Sequence, residues 1–189
     1  MKIVLFTGGA RSGKSTRAEQ YAAQLGRTVL YLATAEAGDD EMRERIALHR
    51  RQRPASWVTL EVPIAVAATL ATLEVGTVVL LDCVSLLVSN LLLTHELDAA
   101  AVVDTEIDSL LAAAHARDLT LIVVTNEVGL GIVPAYPLGR TYRDLLGSAN
   151  QRIAAAAAEV YLLVCGIPVE IRALEAAWAR GPGVRNTPE

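Results

Sequence analysis

Gly8, Gly13, Lys14 and Ser15 stand in the four fixed places of the pattern G-x-x-x-x-G-K-[ST], within the run Gly8, Gly9, Ala10, Arg11, Ser12, Gly13, Lys14, Ser15. Residues of these types at this spacing handle phosphate. The glycines let main-chain N–H groups turn inward around phosphate oxygens, Lys14 reaches the β- and γ-phosphates, and the Ser15 hydroxyl meets a magnesium ion that bridges them. The flanks agree: an apolar, strand-like run over residues 2–7 delivers the loop, and a helix-like segment follows whose positive dipole end faces the anion. The bland alternative is a glycine-rich strand-to-helix turn that holds no ligand. It leaves the eight-residue match and both flanks to coincidence.

Further candidates sit where other strand-like runs end. Val78, Val79, Leu80, Leu81 and Asp82 form a buried-type strand closing on a carboxylate. Asp82 either joins the magnesium shell, directly or through water, or caps the next helix. Thr125, Asn126 and Glu127 end another run, and Gly129 and Gly131 let the following loop close over a ligand. After Ala33, the small residues from Thr34 onward can pass close to a nucleotide, and Asp39 or Asp40 can cap a helix on which Met42, Ile46 and His49 share one face.

His49 leads into Arg50, Arg51, Gln52 and Arg53. A histidine on an apolar helical stripe is more often packed than reactive. Beside three arginines it also reads as part of an anion site, where a neutral imidazole is a competent nucleophile toward the α-phosphate. Glu61 is either a ribose or metal contact or an exposed strand-end acid, and Arg140 and Arg143 either line the pocket or cover a helix surface.

These groups need a scaffold that brings strand ends together. Strand-like runs at residues 2–7, 28–33, 57–61, 77–82, 119–125 and 159–164 alternate with helical stretches, which predicts an α/β fold: a mostly parallel sheet flanked by helices, with ligands beyond the carboxyl ends of the strands. Residues 169–171, too close behind for a crossover helix, predict a last antiparallel strand. The 189 residues suit one domain, over residues 1–171, with 172–189 as a C-terminal extension that frays from Arg180. An apolar fraction of 52% fits tight helix packing or a buried subunit interface. A net charge of −4 argues against a broad nucleic-acid-binding face. Cys83 and Cys165, lacking metal spacing, read as reduced, buried thiols. No stretch has the length of a membrane span and the N-terminus shows no signal pattern, so a cytoplasmic location is expected.

Taken together, GGARSGKS, the DDEM segment ending in HRRQRPASW, VVLLD, and TNEVGLGIVP leading into RTYRDLLGSANQRIA resemble the bifunctional adenosylcobinamide kinase/adenosylcobinamide-phosphate guanylyltransferases of cobalamin (vitamin B12) biosynthesis. The phosphate loop occurs in many unrelated NTPases, whereas the His-Arg segment and TNEVG-x-GIVP in this order are far more selective. The resemblance implies two reactions on one corrinoid. ATP or GTP phosphorylates adenosylcobinamide, and GTP then donates GMP through a guanylylated histidine, giving adenosylcobinamide-GDP and pyrophosphate. It implies His49 as the residue that takes GMP, Gly8 to Ser15 as the triphosphate cradle with Lys14, and Ala33, Thr34, Ala35, Arg50, Arg51, Gln52, Arg53, Glu61 and Asp82 as further GTP contacts. Mg2+ at Ser15 and Asp82, a P-loop NTPase core of the recombinase-like kind, and a homotrimer are implied as well. Asp82 stands where relatives can carry Glu, one methylene longer. Two other readings stay open: a small-molecule kinase in which His49 is packed, and a recombinase-like ATPase module that binds nucleic acid.

Overall fold

The computed structural model describes residues 1–35 and 53–179. His49, Arg50, Arg51 and Gln52, the helix expected after Asp39 or Asp40, and the tail from Arg180 lie outside the described residues. Among the described residues seven strands form one sheet: β1 (Lys2–Gly8), β2 (Val29–Ala33), β3 (Val58–Glu61), β4 (Val78–Asp82), β5 (Thr120–Val124), β6 (Glu159–Val164) and β7 (Ile167–Glu170). The helices are α1 (Lys14–Gln24), α2 (Val66–Thr72), α3 (Val84–Thr94), α4 (Ala99–Ala116) and α5 (Pro137–Ala156). The sheet order is β3-β2-β4-β5-β1-β6-β7, parallel throughout except for the antiparallel β6–β7 pair. The last strand thus runs as the short connection predicted, two residues earlier than the sequence pattern placed it.

The central strands read as unbroken apolar runs because both of their faces are covered. On one face Val4, Phe6, Val29, Tyr31, Leu80 and Ile122 pack under Ala18 and Ala22 of α1. On the other, Ile3, Leu5, Leu32, Leu81 and Leu121 pack under α2, α3, α4 and α5 through Leu70, Leu87, Ile107 and Ile153. The alternation is that of a pleated strand, in which neighbours point to opposite sides. No helix among the described residues is long and apolar enough to cross a membrane.

Register is what serves the site. Glu61 pairs with Ala33, Ala33 with Asp82, Asp82 with Val124, and Val124 with Phe6. These five residues therefore stand in one row at the carboxyl edge, each about 4.8 Å from the next. Residues separated by up to 118 positions in the chain become neighbours there, and the phosphate loop leaves β1 just beyond the row.

Candidate nucleotide-binding site

The phosphate loop owes its shape to backbone that only glycine adopts cheaply. Gly8 has φ 148° and Gly13, which caps α1, has φ 91°. Two neighbouring turns brace the loop. The Gly166 N–H, in the β6–β7 turn, donates to the Ser12 carbonyl at 3.0 Å, and Arg17 Nε returns a bond to the Gly166 carbonyl at 2.9 Å. From the other side, the Glu127 N–H donates to the Gly8 carbonyl at 3.0 Å. Lys14 is buried and its Nζ donates to the Gly9 carbonyl at 2.7 Å. With α1 starting at Lys14, the first amides of an eleven-residue helix open on the same space.

That space is a cleft of about 500 Å³. Ala10, Arg11, Ser12, Gly13, Lys14 and Ser15 line one side of it, and Ala33, Ala35, Arg53, Glu61 and Asp82 line the rest of the expected set. Gly8, buried, lies behind that lining, and Gly9, exposed, is not part of it. Thr34 is also behind it: fully buried, its hydroxyl donates to the Cys83 carbonyl at 2.7 Å and accepts from the Cys83 N–H at 2.8 Å. Thr34 thus ties the end of β2 to the end of β4 instead of facing a ligand. Its own carbonyl, and that of Pro63, accept bonds from Asn90 Nδ2 at 2.9 Å each.

Asp82 is held by the Tyr31 hydroxyl, which donates to Oδ2 at 2.6 Å. Burial, then the Asp82 charge, pushes the Tyr31 phenol far above its ordinary value, so it stays a proton donor. Burial, followed again by Asp82, also pushes up the Cys83 thiol, and Cys83 Sγ lies 2.9 Å from Ser85 Oγ. Tyr142 reaches from α5 to the Ser85 carbonyl at 3.2 Å, and burial lifts its phenol to about 12. Ser15 and Asp82, a hydroxyl and a carboxylate residue, line the same cleft. Together they make an all-oxygen donor set of the kind that Mg2+ takes up alongside substrate phosphates, so the residues present fit that ion.

Other expectations divide. Of the triplet after β5 only Asn126 reaches the cleft. Thr125 is buried and donates to Asn150 Oδ1 at 2.7 Å, while Glu127 accepts from the Gly129 N–H at 2.6 Å. Neither Arg140 nor Arg143 is in the lining: Arg140 holds the Pro134 and Ala135 carbonyls, and Arg143 pairs with Asp144. Cys165 is exposed in the β6–β7 turn, not buried, because the strand-like run ends at Val164 and the backbone turns there with φ 52°. Among the lining residues that sequence reading missed are Tyr31, Thr59, Cys83, Ser85 and Tyr142. For two of them a signal existed: Tyr31 and Thr59 lie two positions before Ala33 and Glu61, on the same strand faces.

Comparison with known proteins adds a second line of observation. The family described as "Cobinamide kinase / cobinamide phosphate guanyltransferase" matches residues 4–171. The "Bifunctional adenosylcobalamin biosynthesis protein CobP" of Pseudomonas aeruginosa is 46% identical over 169 residues, covering 89% of this chain and 96% of that protein. The proteins named "Bifunctional adenosylcobalamin biosynthesis protein CobU" from Escherichia coli and Salmonella typhimurium are 44% and 43% identical, each covering 90% of this chain and 99% of their own.

Proposed function

The chain belongs to the cobinamide kinase/cobinamide phosphate guanyltransferase family, and from that premise we propose how its residues share the two reactions. The enzyme is bifunctional, an adenosylcobinamide kinase and adenosylcobinamide-phosphate guanylyltransferase acting in assembly of the cobalamin nucleotide loop. In the kinase reaction the substrate hydroxyl oxygen attacks the γ-phosphorus of a nucleoside triphosphate, the bond to the β-phosphate oxygen breaks, and the hydroxyl proton passes to solvent. Lys14 and the loop amides hold the β- and γ-oxygens and offset the charge that develops on them. Ser15 and Asp82 are the residues that would hold Mg2+, which would supply further charge neutralisation.

In guanylyl transfer a neutral His49 nitrogen attacks the α-phosphorus of GTP. The N–P bond forms as the bond to the pyrophosphate oxygen breaks, and pyrophosphate leaves. The phosphate of adenosylcobinamide phosphate then attacks the same phosphorus and releases His49. Arg50, Arg51 and Gln52 belong to this reading as anion contacts near His49, with Ala33, Ala35 and Glu61 on the nucleoside side. The observation that carries the assignment is that the phosphate loop, Asp82 and Arg53 wall one cleft, with Arg53 four residues after His49. A single domain over residues 1–171, a cytoplasmic location and a homotrimer complete the reading. The trimer draws support from apolar side chains exposed at both sheet edges, Val58 and Leu60 on β3, Ile167 and Val169 on β7.

The test is intact mass after incubation with GTP and Mg2+. The expected result is one added GMP, lost in acid and stable in alkali as a histidine phosphoramidate should be, and absent from His49→Ala. An adduct that persists in His49→Ala removes His49 from the covalent role.

A further inference from the structure

Arg53 follows His49 by four residues in the chain. Its guanidinium carbon stands 3.3 Å from the centroid of the Tyr31 ring, its Nε 3.3 Å from Glu19 Oε1, and its Nη1 3.4 Å from Thr59 Oγ1. The three partners come from β2, α1 and β3. The side chains of Arg53 and Glu19 are only 8% and 12% exposed, so this charge pair is shielded from solvent screening. Tyr31 in turn donates to Asp82 Oδ2 at 2.6 Å. An unbroken set of contacts therefore joins the acid at the end of β4, through a tyrosine ring, to the arginine that ends the His49 stretch and to the helix that opens at the phosphate loop.

Covalent geometry says why this junction matters. Four residues of chain, from Arg53 back to His49, reach at most about 14 Å, whereas the fourteen residues from Ala35 forward to His49 reach about 50 Å. The Arg53 end is thus the short tether, and where Arg53 is fixed bounds where the imidazole can be. Holding it on the cleft wall raises the effective concentration of His49 at a nucleotide in the same cleft.

We infer that Arg53 and Tyr31 are positioning residues for guanylyl transfer: the guanidinium–ring stack clamps the end of the His49 stretch to the wall of the nucleotide cleft. The inference rests on the reading above that His49 takes GMP. A planar guanidinium is required, because an ammonium keeps the charge but cannot lie flat on the ring while bonding Glu19 and Thr59.

The experiment compares wild type, Arg53→Met, Arg53→Lys, Tyr31→Phe, Tyr31→Leu and the double variant Arg53→Met with Tyr31→Leu. Three quantities are read: affinity for a fluorescent, non-hydrolysable GTP analogue, kinase turnover, and the single-turnover rate of GMP attachment by intact mass at saturating GTP. Arg53→Met is expected to slow attachment at least tenfold, and by at least five times the factor by which it weakens analogue affinity or slows kinase turnover. Arg53→Lys recovers less than half of the lost rate, and Tyr31→Phe, which keeps the ring, retains more than half of the wild-type rate. Tyr31→Leu slows attachment like Arg53→Met, and the double variant is no slower than either single one, the non-additivity of one shared contact. If Tyr31→Leu does not fold, the two Arg53 variants and Tyr31→Phe decide. Equal losses in all three quantities for Arg53→Met would mean direct nucleotide contact and overturn the inference, as would an undiminished attachment rate. If wild type itself takes up no GMP, the covalent reading fails and the positioning role falls with it, an outcome distinct from both.

Discussion

Gly8→Ala tests whether the backbone of the phosphate loop is as constrained as the structure has it. A Cβ on Gly8 would stand 2.5 Å from the Leu163 carbonyl oxygen and 3.3 Å from the Leu163 amide nitrogen. Neither atom can yield easily, since Leu163 pairs with Gly8 on one side of β6 and with Pro168 of β7 on the other. At φ 148° the alanine also carries backbone strain that glycine avoids. Overpacking and strain together come to about 3 kcal/mol. For a chain of this size that lowers the melting temperature by roughly 6–12 °C. Gly9→Ala is the internal control: a Cβ there meets nothing within 4 Å, so its effect should stay within about 0.5 kcal/mol, roughly 1–2 °C. The assay is thermal unfolding followed by circular dichroism, with nucleotide affinity measured well below the transition. Gly8→Ala should also weaken nucleotide binding, because separating β1 from β6 shifts the loop that the Gly166 turn braces. Melting of both variants within about 2 °C of wild type would refute the reasoning.

Two further outcomes follow from the electrostatics. Burial alone would raise the Glu159 carboxyl, but bonds from Lys2 at 2.5 Å, Tyr161 at 2.8 Å and Tyr21 at 3.0 Å outweigh it and hold the pKa below the ordinary carboxylate range. A depressed carboxylate stabilises the fold above its unfolded pKa and loses that contribution as pH falls through the folded one. Glu159→Gln should therefore melt below wild type at about pH 7, with the gap closing toward about pH 3; a gap that stays constant contradicts the assignment. For the thiols, iodoacetamide should modify exposed Cys165 first, while Cys83, pushed up by burial and by Asp82, reacts slowly in the native protein and fast only after unfolding. Peptide mass mapping over time separates the two, and equal rates would show that Cys83 is not shielded.

The chain alone determined much here, and for a physical reason: the signals it carried are local. A phosphate loop is defined by eight consecutive residues whose backbone binds the ligand, so Gly8, Gly13, Lys14 and Ser15 were legible without a fold. Buried parallel strands announce themselves as apolar runs, which placed β1 to β6 within a residue or two and put Asp82 and Ala33 at carboxyl ends. The short connection after Val164 foretold an antiparallel β7. What only the tertiary structure decided is which side chains meet across strands. Strand order and register are non-local, and they alone set Glu61, Ala33, Asp82 and Val124 in one row and bring Tyr31 to Asp82 and Arg53 to Tyr31. A tyrosine inside an apolar strand looks like core from its neighbours in the chain. Thr34 looks like a ligand contact for the same reason, and is instead spent on the Cys83 backbone, because β2 and β4 are adjacent only in the folded sheet.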